Sequence, residues 1–545
     1  MKSTMLAGMM IRNNLGLPSG IVGTKVSIIE RLANEIPQLG FVVTKSTNFG
    51  GKDGHKAPII ASVSNGSLIN AVGLANDGAE ALARELSTAK FPKGFLVIGS
   101  VFGATVKDCV NAARQIVPYV GAIEMNFSCP HDEKQGLQVG QDINLVVEIT
   151  KEVVKLGKPV FEKVSPKMDL EVFVKATRDL GIAGYSVINT YGPENFEVDK
   201  WPVLTNKVGG ISGRKLTEMM LECTAVVRQH TLLDIITSGG ISRRHDVENA
   251  LNAGGTVCAI GTATMGLNTP ELADYFGILD SDLTTNSHNA EIWLNMKHYP
   301  VENAMKYGQY FVEENEKLAS GLHKITFDKV LISRPGQFIF VWIPGLGERP
   351  FSILDNQPLK ILVAVRGKCT EFLSKLEPGK SVMVRGPHGS EPKLLGEKIL
   401  LVAGGTGAAA LRQFAEDYCN KINFTAVLGA KDEKHLYIEG FVPFCNGVYL
   451  FTENGDPKTT RGLVTDKLDK IMEKDDFDFC LTCGPKPMVK KVFEIAEKFL
   501  PSKRILGSVE FHTDCGIGLC GKDATPTGLR PCVDGTFMTK EQLGL

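Results

Sequence analysis

The sequence predicts an α/β protein that opens with a (β/α)₈ barrel and continues into antiparallel strands and a second α/β segment. In roughly the first 290 residues, strand-like apolar runs alternate with amphipathic segments at a spacing of about 20–40 residues, which is typical of repeated βα units. From about residue 300, short β runs separated by turns predict a small antiparallel barrel. From about residue 397 the α/β alternation returns.

Length and composition narrow the class of protein. A chain of 545 residues is expected to form two to four domains. Sixty Lys and Arg against 61 Asp and Glu give a net charge of −1, which argues against a nucleic-acid partner. The sequence has no apolar run of transmembrane length and no convincing signal peptide, so we expect a cytoplasmic protein without a membrane partner. Most of the 12 cysteines are scattered singly, which disfavours a disulfide framework.

The barrel prediction is based on seven apolar runs, several of which end in polar residues. Lys45 ends one run, Lys163 lies within another, and Asn189 and Thr190 end the next. Such strand ends are where α/β folds place their chemistry. The runs span residues 41–45, 95–100, 122–126, 159–165, 184–190, 234–240 and 257–262.

One loop concentrates reactive groups. The run at 122–126 leads into Asn126-Phe127-Ser128-Cys129-Pro130-His131, which brings an amide, a hydroxyl, a thiol and an imidazole within six residues. On these residues alone, Cys129 is equally well a buried small hydrophobe or a reactive thiol.

Three loops of small residues follow later strands. They are Gly-Gly-Ile-Ser-Gly at 209–213, Ser-Gly-Gly at 238–240 and Gly-Thr-Ala at 261–263. Glycines let backbone N–H groups approach a phosphate closely, and late barrel loops commonly hold one. A single Gly-Gly pair is usually only a turn, but three such loops predict a phosphorylated cofactor or substrate.

Residues 1 to about 285 resemble the soluble dihydroorotate dehydrogenases, which are FMN-containing TIM barrels. The matching segments occur in the family's order along the whole barrel. They are Pro-Ser-Gly at 18–20, Val-Thr-Lys-Ser-Thr at 43–47, Ile-Asn-Ala-Val-Gly-Leu at 69–74, Asn-Phe-Ser-Cys-Pro at 126–130, Ile-Asn-Thr at 188–190 and the three glycine loops.

The resemblance implies roles for these positions. The implied catalytic residues are Cys129 and Lys45: Cys129 would exchange the substrate proton and Lys45 would contact the flavin, while hydride passes between substrate and flavin. A thiol can serve as this base where its surroundings stabilise the thiolate. The implied substrate-binding residues are Asn70, Asn126, His131, Asn189 and Thr190. The implied FMN-binding residues are Ser19, Gly20, Lys45, Lys163, Gly213, Gly239, Gly240, Gly261 and Thr262.

Two departures from the family pattern leave the substrate open. The dehydrogenases have Pro-Asn after the catalytic cysteine, whereas this chain has Pro130-His131, as dihydropyrimidine dehydrogenases do. The segment Gly-His-Lys-Ala-Pro-Ile at 54–59 also lacks the family's arginine. A reductase that uses NAD(P)H on a pyrimidine or another cyclic unsaturated substrate is therefore the alternative to dihydroorotate oxidation.

The second half divides into four predicted segments. Residues 286–300 form a connector, 301–393 a FAD-binding β-barrel, 394–500 an NAD(P)-binding α/β domain and 501–545 a tail. The region 300–500 resembles the ferredoxin-reductase family, most closely the electron-transfer subunit of NAD-linked dihydroorotate dehydrogenases. The resemblance implies FAD contacts from Arg349, Pro350, Ser352, Arg366, Gly367 and Gly389, and NAD contacts from Gly404, Gly405, Thr406, Gly407, Cys483 and Gly484.

The tail carries a second cysteine pattern. Cys515 and Cys520 have C-x₄-C spacing with glycines between them, which suggests a metal or a cluster. The electron-transfer subunit holds a [2Fe–2S] cluster at such a site. Here Asp523 replaces the third cysteine and Cys532 supplies the fourth position. A cluster with one carboxylate ligand is the prediction, and loss of the cluster or a zinc site in the same residues are the alternatives.

Together these patterns predict a fusion of the two subunits of an NAD-linked dihydroorotate dehydrogenase, with FMN, FAD, a [2Fe–2S] cluster and NAD(P) as its cofactors. Electrons would pass between the small-molecule substrate at FMN and NAD(P)H at FAD. We also expect a homo-oligomer, a dimer through the barrel. A non-catalytic flavoprotein with its electron path broken at Asp523 is disfavoured, because Lys45, Asn126, Cys129 and Asn189 are all present.

Overall fold

A computed structural model of the chain describes residues 3–64, 66–128, 137–281 and 287–545. The chain forms two compact units. Unit 1 comprises Met1–Met305 and Ile517–Ala524, and unit 2 comprises Lys306–Gly516 and Thr525–Leu545. The domain boundaries proposed from the sequence stay predictions, while the units themselves divide between Met305 and Lys306.

Unit 1 contains a closed barrel of eight parallel strands that follow one another in chain order, which confirms the predicted fold class. The strands are almost wholly buried, as expected of parallel strands covered by helices. They are β1 (Leu15–Leu17), β2 (Phe41–Val43), β3 (Leu96–Val101), β4 (Ala122–Asn126), β5 (Val160–Val164), β6 (Gly184–Val187), β7 (Asp234–Ser238) and β8 (Val257–Ala259).

Each barrel strand is followed by a helix. Several of these helices begin at a capping side chain: Thr105, Asp142 and Asp169 each accept a hydrogen bond from a backbone N–H of the first turn. The helices are α1 (Val26–Glu35), α2 (Ala79–Thr88), α3 (Val106–Ile116), α4 (Ile143–Val154), α5 (Leu170–Thr177), α6 (Thr217–His230), α7 (Arg244–Asn252) and α8 (Thr269–Asp280).

The strand β1 is absent from the seven apolar runs. It is three residues long and contains Gly16, so it lacks the β-branched run that marks a strand in sequence. Its position is set by packing, because a Cβ on Gly16 would lie 2.5 Å from the Phe41 ring.

Loops at the carboxyl end of the barrel pair with one another in a four-stranded antiparallel sheet. Asn70 lies at the end of one of its strands and pairs with Gly210. The strands are Ile60–Ser64, Ser67–Asn70, Tyr191–Asn195 and Val208–Gly213. The sheet therefore joins segments that follow β2 and β6.

The predicted connector is helical in the structure. Helix α9 spans Ser287–Ala304 and belongs to unit 1. Its His298 is buried, and its Nε2 lies 2.9 Å from the Ala263 carbonyl oxygen, just after β8. This segment therefore contributes to the carboxyl end of the barrel rather than merely linking two domains.

Unit 2 contains two sheets, of seven antiparallel and six parallel strands. The antiparallel strands, in sheet order, are Gly347–Ser352, Phe338–Ile343, Ser381–His388, Gly308–Ala319, Leu322–Phe327, Leu359–Ala364 and Asp355–Asn356. The parallel strands, in sheet order, are Thr460–Arg461, Gly447–Thr452, Asn423–Ala430, Lys398–Gly404, Phe479–Cys483 and Ile505–Ser508. The helices of unit 2 are Lys368–Ser374, Ala408–Tyr418, Leu468–Lys474, Lys486–Ala496, Pro531–Asp534 and Lys540–Leu543.

The segment Ile517–Ala524 belongs to unit 1 although it lies far along the chain. The Val22 N–H donates to the Leu519 carbonyl oxygen at 2.8 Å, and the Gly266 N–H donates to the Ile517 carbonyl oxygen at 2.9 Å. The short C-terminal segment thereby contacts loops that follow both β1 and β8.

Within the described ranges, no helix is long and apolar enough to cross a membrane.

Candidate functional site

A hydroxyl–carboxylate network lies at the carboxyl end of the barrel strands. Ser46, just after β2, is 3.0 Å from Ser19 Oγ and 2.9 Å from Ser100 Oγ. Ser100 in turn donates to Glu124 Oε1 at 2.9 Å, and Lys163 Nζ lies 3.9 Å from the same oxygen. The network links residues on or after the first five strands, and it places the cation of Lys163 beside a buried carboxylate.

Two of the predicted substrate asparagines are held together. Asn126 Nδ2 donates to Ser46 Oγ at 2.9 Å, and Asn126 Oδ1 accepts the Ser128 N–H at 3.2 Å. Asn189 Nδ2 donates to Ser128 Oγ at 3.0 Å. Because each carboxamide is bonded from its neighbours, its oxygen and nitrogen have a defined orientation at the end of β4 and β6.

The other predicted substrate residues have separate placements. Asn70 lies on the four-stranded sheet and donates to the Gly210 carbonyl oxygen at 3.2 Å. The Thr190 N–H donates to Asn189 Oδ1 at 2.8 Å, which keeps these two predicted residues together. Cys129 and His131 lie outside the described residues, so their predicted roles stay predictions.

The predicted glycine loops converge on one cavity. Glycine is required at two of its walls, because a Cβ on Gly213 would lie 2.1 Å from the Gly66 carbonyl oxygen and one on Gly240 would lie 2.4 Å from Thr217 Oγ1. Thr262 Oγ1 donates to Ser212 Oγ at 2.9 Å, which ties two of the loops. The cavity is lined by Gly66, Gly213, Arg214, Gly240, Ile241, Ser242, Thr262, Ala263 and His298. Close backbone approach and a lining cation suit a phosphate.

The NAD-side motifs meet in unit 2. The central strand Lys398–Gly404 pairs on one side with Asn423–Ala430, the next strand along the chain, and on the other side with Phe479–Cys483. The order of strands therefore reverses at Lys398–Gly404. Ligands of open α/β sheets bind at such a switch point. The glycine turn at 404–407 contacts residues 483–484 there, because a Cβ on Gly407 would lie 2.3 Å from the Cys483 carbonyl oxygen.

Comparison with known proteins agrees with this geometry. The family model for dihydroorotate dehydrogenase matches residues 1–272. The catalytic subunit of dihydroorotate dehydrogenase B (NAD(+)) from Thermoplasma acidophilum is 37% identical over 265 residues, covering 48% of this chain and 86% of that protein. The chain belongs to the dihydroorotate dehydrogenase family.

The similarity to known proteins extends beyond the catalytic subunit. A probable electron-transfer subunit of dihydroorotate dehydrogenase B from Methanocaldococcus jannaschii is 33% identical over 218 residues, covering 40% of this chain and 83% of that protein. A solved NADH-dependent reduced ferredoxin-NADP oxidoreductase is 27% identical with a TM-score of 0.40, covering 43% of this chain and 88% of that one. Because a catalytic subunit and an electron-transfer subunit each match part of the chain, this member of the dihydroorotate dehydrogenase family combines counterparts of both subunits in one polypeptide, as the sequence predicts.

The predicted FAD residues of this dihydroorotate dehydrogenase homologue lie on or beside the antiparallel sheet. Arg349 is exposed on the strand Gly347–Ser352, where its Nη1 donates to the Glu348 carbonyl oxygen at 2.7 Å. The N–H groups of Arg366 and Gly367 both donate to Thr370 Oγ1. The exposed guanidinium of Arg349 is suited to a diphosphate.

Two strands of that sheet carry a buried ion pair that no sequence motif indicates. Arg385 Nη2 and Nε each lie 2.7 Å from a carboxylate oxygen of Glu348, and both side chains are fully buried. Arg385 Nη1 also donates to the Cys515 carbonyl oxygen at 2.9 Å. Burial and the Arg385 charge hold the pKa of the adjacent His388 well below its usual range.

The sequence also predicts a metal or cluster site in the C-terminal tail. In the described part of the chain, no group of three or more His, Cys, Asp and Glu side chains is arranged to hold a metal ion. The ligand set of Cys515, Cys520, Asp523 and Cys532 stays a prediction from the sequence.

Two cavity residues were missed from the sequence. Arg214 directly follows the predicted Gly213, so its position next to a phosphate-type loop is a signal that could have found it. His298 lies in the segment interpreted as a connector, about 35 residues beyond the last glycine loop, and no local pattern points to it.

Proposed function

We propose that the protein oxidises dihydroorotate to orotate in the barrel of unit 1 and exchanges the electrons with NAD(H) in unit 2, with FMN and FAD as cofactors. The observation that carries this proposal is the bonded cluster of Asn126, Ser128 and Asn189 at the carboxyl end of the barrel. The names of relatives that match both parts of the chain support it.

The asparagine cluster suits a pyrimidine ring. Among the described residues, Asn126 Nδ2 uses one of its two hydrogens on Ser46, and Asn126 Oδ1 accepts from Ser128. The Asn126 carboxamide therefore retains a donor hydrogen in a fixed orientation, while its oxygen already accepts from both the N–H and the Oγ–H of Ser128. Acceptor capacity remains on Asn189 Oδ1, which accepts from the Thr190 N–H. That combination complements the alternating N–H and C=O groups at the edge of an imide ring.

The remaining residues have supporting roles in this proposal. Cys129 removes the substrate proton from the face opposite the departing hydride. Lys163, buried beside Glu124, holds a positive charge near the flavin. Bound FMN supplies a hydride acceptor, and bound FAD supplies the exchange with NAD(H).

Anaerobic spectroscopy of the flavin-loaded protein tests the proposal. Dihydroorotate should bleach the visible absorbance of the bound flavin, and NADH should do so independently. Cys129→Ser should lose the first reaction and keep the second, with the exposed-residue variant Lys151→Gln as a control for handling. Bleaching by NADH alone in the unaltered protein would contradict dihydroorotate oxidation.

A second candidate function is suggested by His131. The Cys-Pro-His sequence and the missing arginine at 54–59 favour a reductase that uses NAD(P)H on a pyrimidine or another cyclic unsaturated compound. In that case NAD(P)H bleaches the flavin, and uracil, thymine or a cyclic enone restores its colour while dihydroorotate has no effect. A panel of these compounds separates the two functions.

We also propose a cofactor of the tail, an oligomeric state and a cellular location. The tail holds a [2Fe–2S] cluster, which EPR of the reduced protein together with iron and zinc analysis would test. The protein is a dimer in solution, which sedimentation would test. It is located in the cytoplasm, which fractionation would test.

A further inference from the structure

The cavity between the glycine loops contains one feature that no predicted role explains. Arg214 lines it, and Arg214 Nη2 is buried with no hydrogen-bond partner among the described residues. A buried guanidinium N–H without a partner is costly, so native structures seldom leave one without a reason. Gly66 packs against the Arg214 stem, because a Cβ there would lie 3.4 Å from Arg214 Cδ.

The other polar side chains of the cavity do not supply a positive charge. His298 is buried, and its Nε2–H donates to the Ala263 carbonyl oxygen at 2.9 Å. Burial lowers the pKa of His298 to about 4, so the imidazole is neutral near pH 7. Of the nine lining residues, Arg214 alone carries a permanent positive charge.

The loops supply the neutral part of an anion site. Gly213 and Gly240 both have positive φ values, of 89° and 81°, and no room for a side chain. Backbone N–H groups at such positions can approach phosphate oxygens closely. Because amides alone leave most of the charge of a phosphate dianion uncompensated in a buried site, a guanidinium that can make two parallel hydrogen bonds is the expected complement.

We propose that Arg214 binds the terminal phosphate of FMN and thereby selects FMN over riboflavin in the barrel. This inference rests on the proposed function, since it assigns FMN to unit 1. Arg214 thus adds a charged contact to the phosphate site that the glycine loops predict. It contacts the phosphate of FMN and not the isoalloxazine ring.

Flavin occupancy of the full-length protein tests this inference. The FMN-depleted protein is titrated with FMN and, separately, with riboflavin, and binding is followed by flavin fluorescence. The FAD retained in unit 2 is quantified by chromatography as an internal reference. Arg214→Gln should weaken FMN by about 10- to 100-fold, leave riboflavin within about twofold, and leave FAD content unchanged. Arg214→Lys should recover part of the FMN affinity, because it restores the charge without the planar fork.

The matched control is Arg84→Gln, which removes an exposed arginine whose Nη2 lies 3.4 Å from Glu80 and should change neither flavin. Equal affinities of Arg214→Gln and the unaltered protein for FMN would overturn the role of Arg214, as would an equal loss of FMN and riboflavin. If Arg214→Gln does not fold, the ratio of FMN affinity to riboflavin affinity is measured for Arg214→Lys instead. A ratio below that of the unaltered protein supports the role of Arg214, and an equal ratio overturns it. Failure of the unaltered protein to bind FMN at all would instead contradict the proposed function.

Discussion

Glu162 offers a sharp test of the packing between the barrel and its helices. It lies on β5 with its side chain fully buried, and Thr150 of α4 donates to Glu162 Oε1 at 2.6 Å. Burial raises the pKa of Glu162 from 4.5 to about 7, although hydrogen bonds from Thr150 and Thr177 act in the opposite direction. The folded protein therefore keeps this carboxyl protonated over a pH range in which the unfolded chain ionises it.

The sign of the effect follows from proton binding. Between pH 4.5 and 7 the folded state holds one more proton at Glu162 than the unfolded state, so raising the pH in that range favours unfolding. The full cost is about 3 kcal/mol above pH 7, and about 1 kcal/mol is already present at pH 5. Above pH 7 both states are ionised, and the cost stays constant.

The variant Glu162→Gln removes this titration while keeping the shape of the side chain. The free energy of unfolding of Glu162→Gln should exceed that of the unaltered protein by an amount that grows by about 2–3 kcal/mol as the pH is raised from 5 to 8. Pulse proteolysis in urea, with peptides of unit 1 quantified by mass spectrometry, measures that difference for the barrel alone. Glu148→Gln, which alters an exposed carboxylate of α4, is the control. A stability difference between Glu162→Gln and the unaltered protein that does not change with pH would refute the reasoning.

Two further predictions concern unit 2. Replacing Arg385 by Met should destabilise unit 2 by about 3–5 kcal/mol, because it leaves the fully buried Glu348 carboxylate without its cation. Urea unfolding, followed through peptides of unit 2, measures this change. A loss of stability below about 1 kcal/mol would contradict the prediction. Gly407→Ala should raise the KM for NADH at least about tenfold without changing flavin bleaching by the barrel substrate, because its Cβ would meet the Cys483 carbonyl oxygen at 2.3 Å. Gly447→Ala, whose Cβ would make only ordinary contacts with Thr425, is the control for steady-state kinetics, and an unchanged KM in Gly407→Ala would remove the glycine turn from the NADH site.

The parts of the fold that the sequence predicts are those with local causes. Buried parallel strands are continuous apolar runs, so seven of the eight barrel strands are visible as such. The eighth, Leu15–Leu17, has no β-branched residue and is interrupted by Gly16, so it does not produce this signal. The four-stranded sheet is also invisible, because it pairs segments such as Ser67–Asn70 and Val208–Gly213 that lie about 140 residues apart.

The same distinction applies to the site. Motif order predicts that Asn126 and Asn189 serve one substrate, and the structure joins both to Ser128. Ser46, which lies within the matching segment at 43–47, bonds Asn126 and is itself bonded to Ser100, and only the structure shows this arrangement. His298 could not be predicted, because its burial depends on how α9 returns to the barrel end rather than on the pattern of α9 itself.

The membership of Ile517–Ala524 in unit 1 has a consequence for synthesis of the chain. The hydrogen bond from Val22 to Leu519 cannot form until the ribosome has added the roughly 210 residues that separate the two parts of unit 1. At about 5–20 residues per second this delay is of the order of 10–40 s. During that time the nascent barrel lacks these C-terminal contacts, so translation speed sets the earliest moment at which unit 1 can be completed.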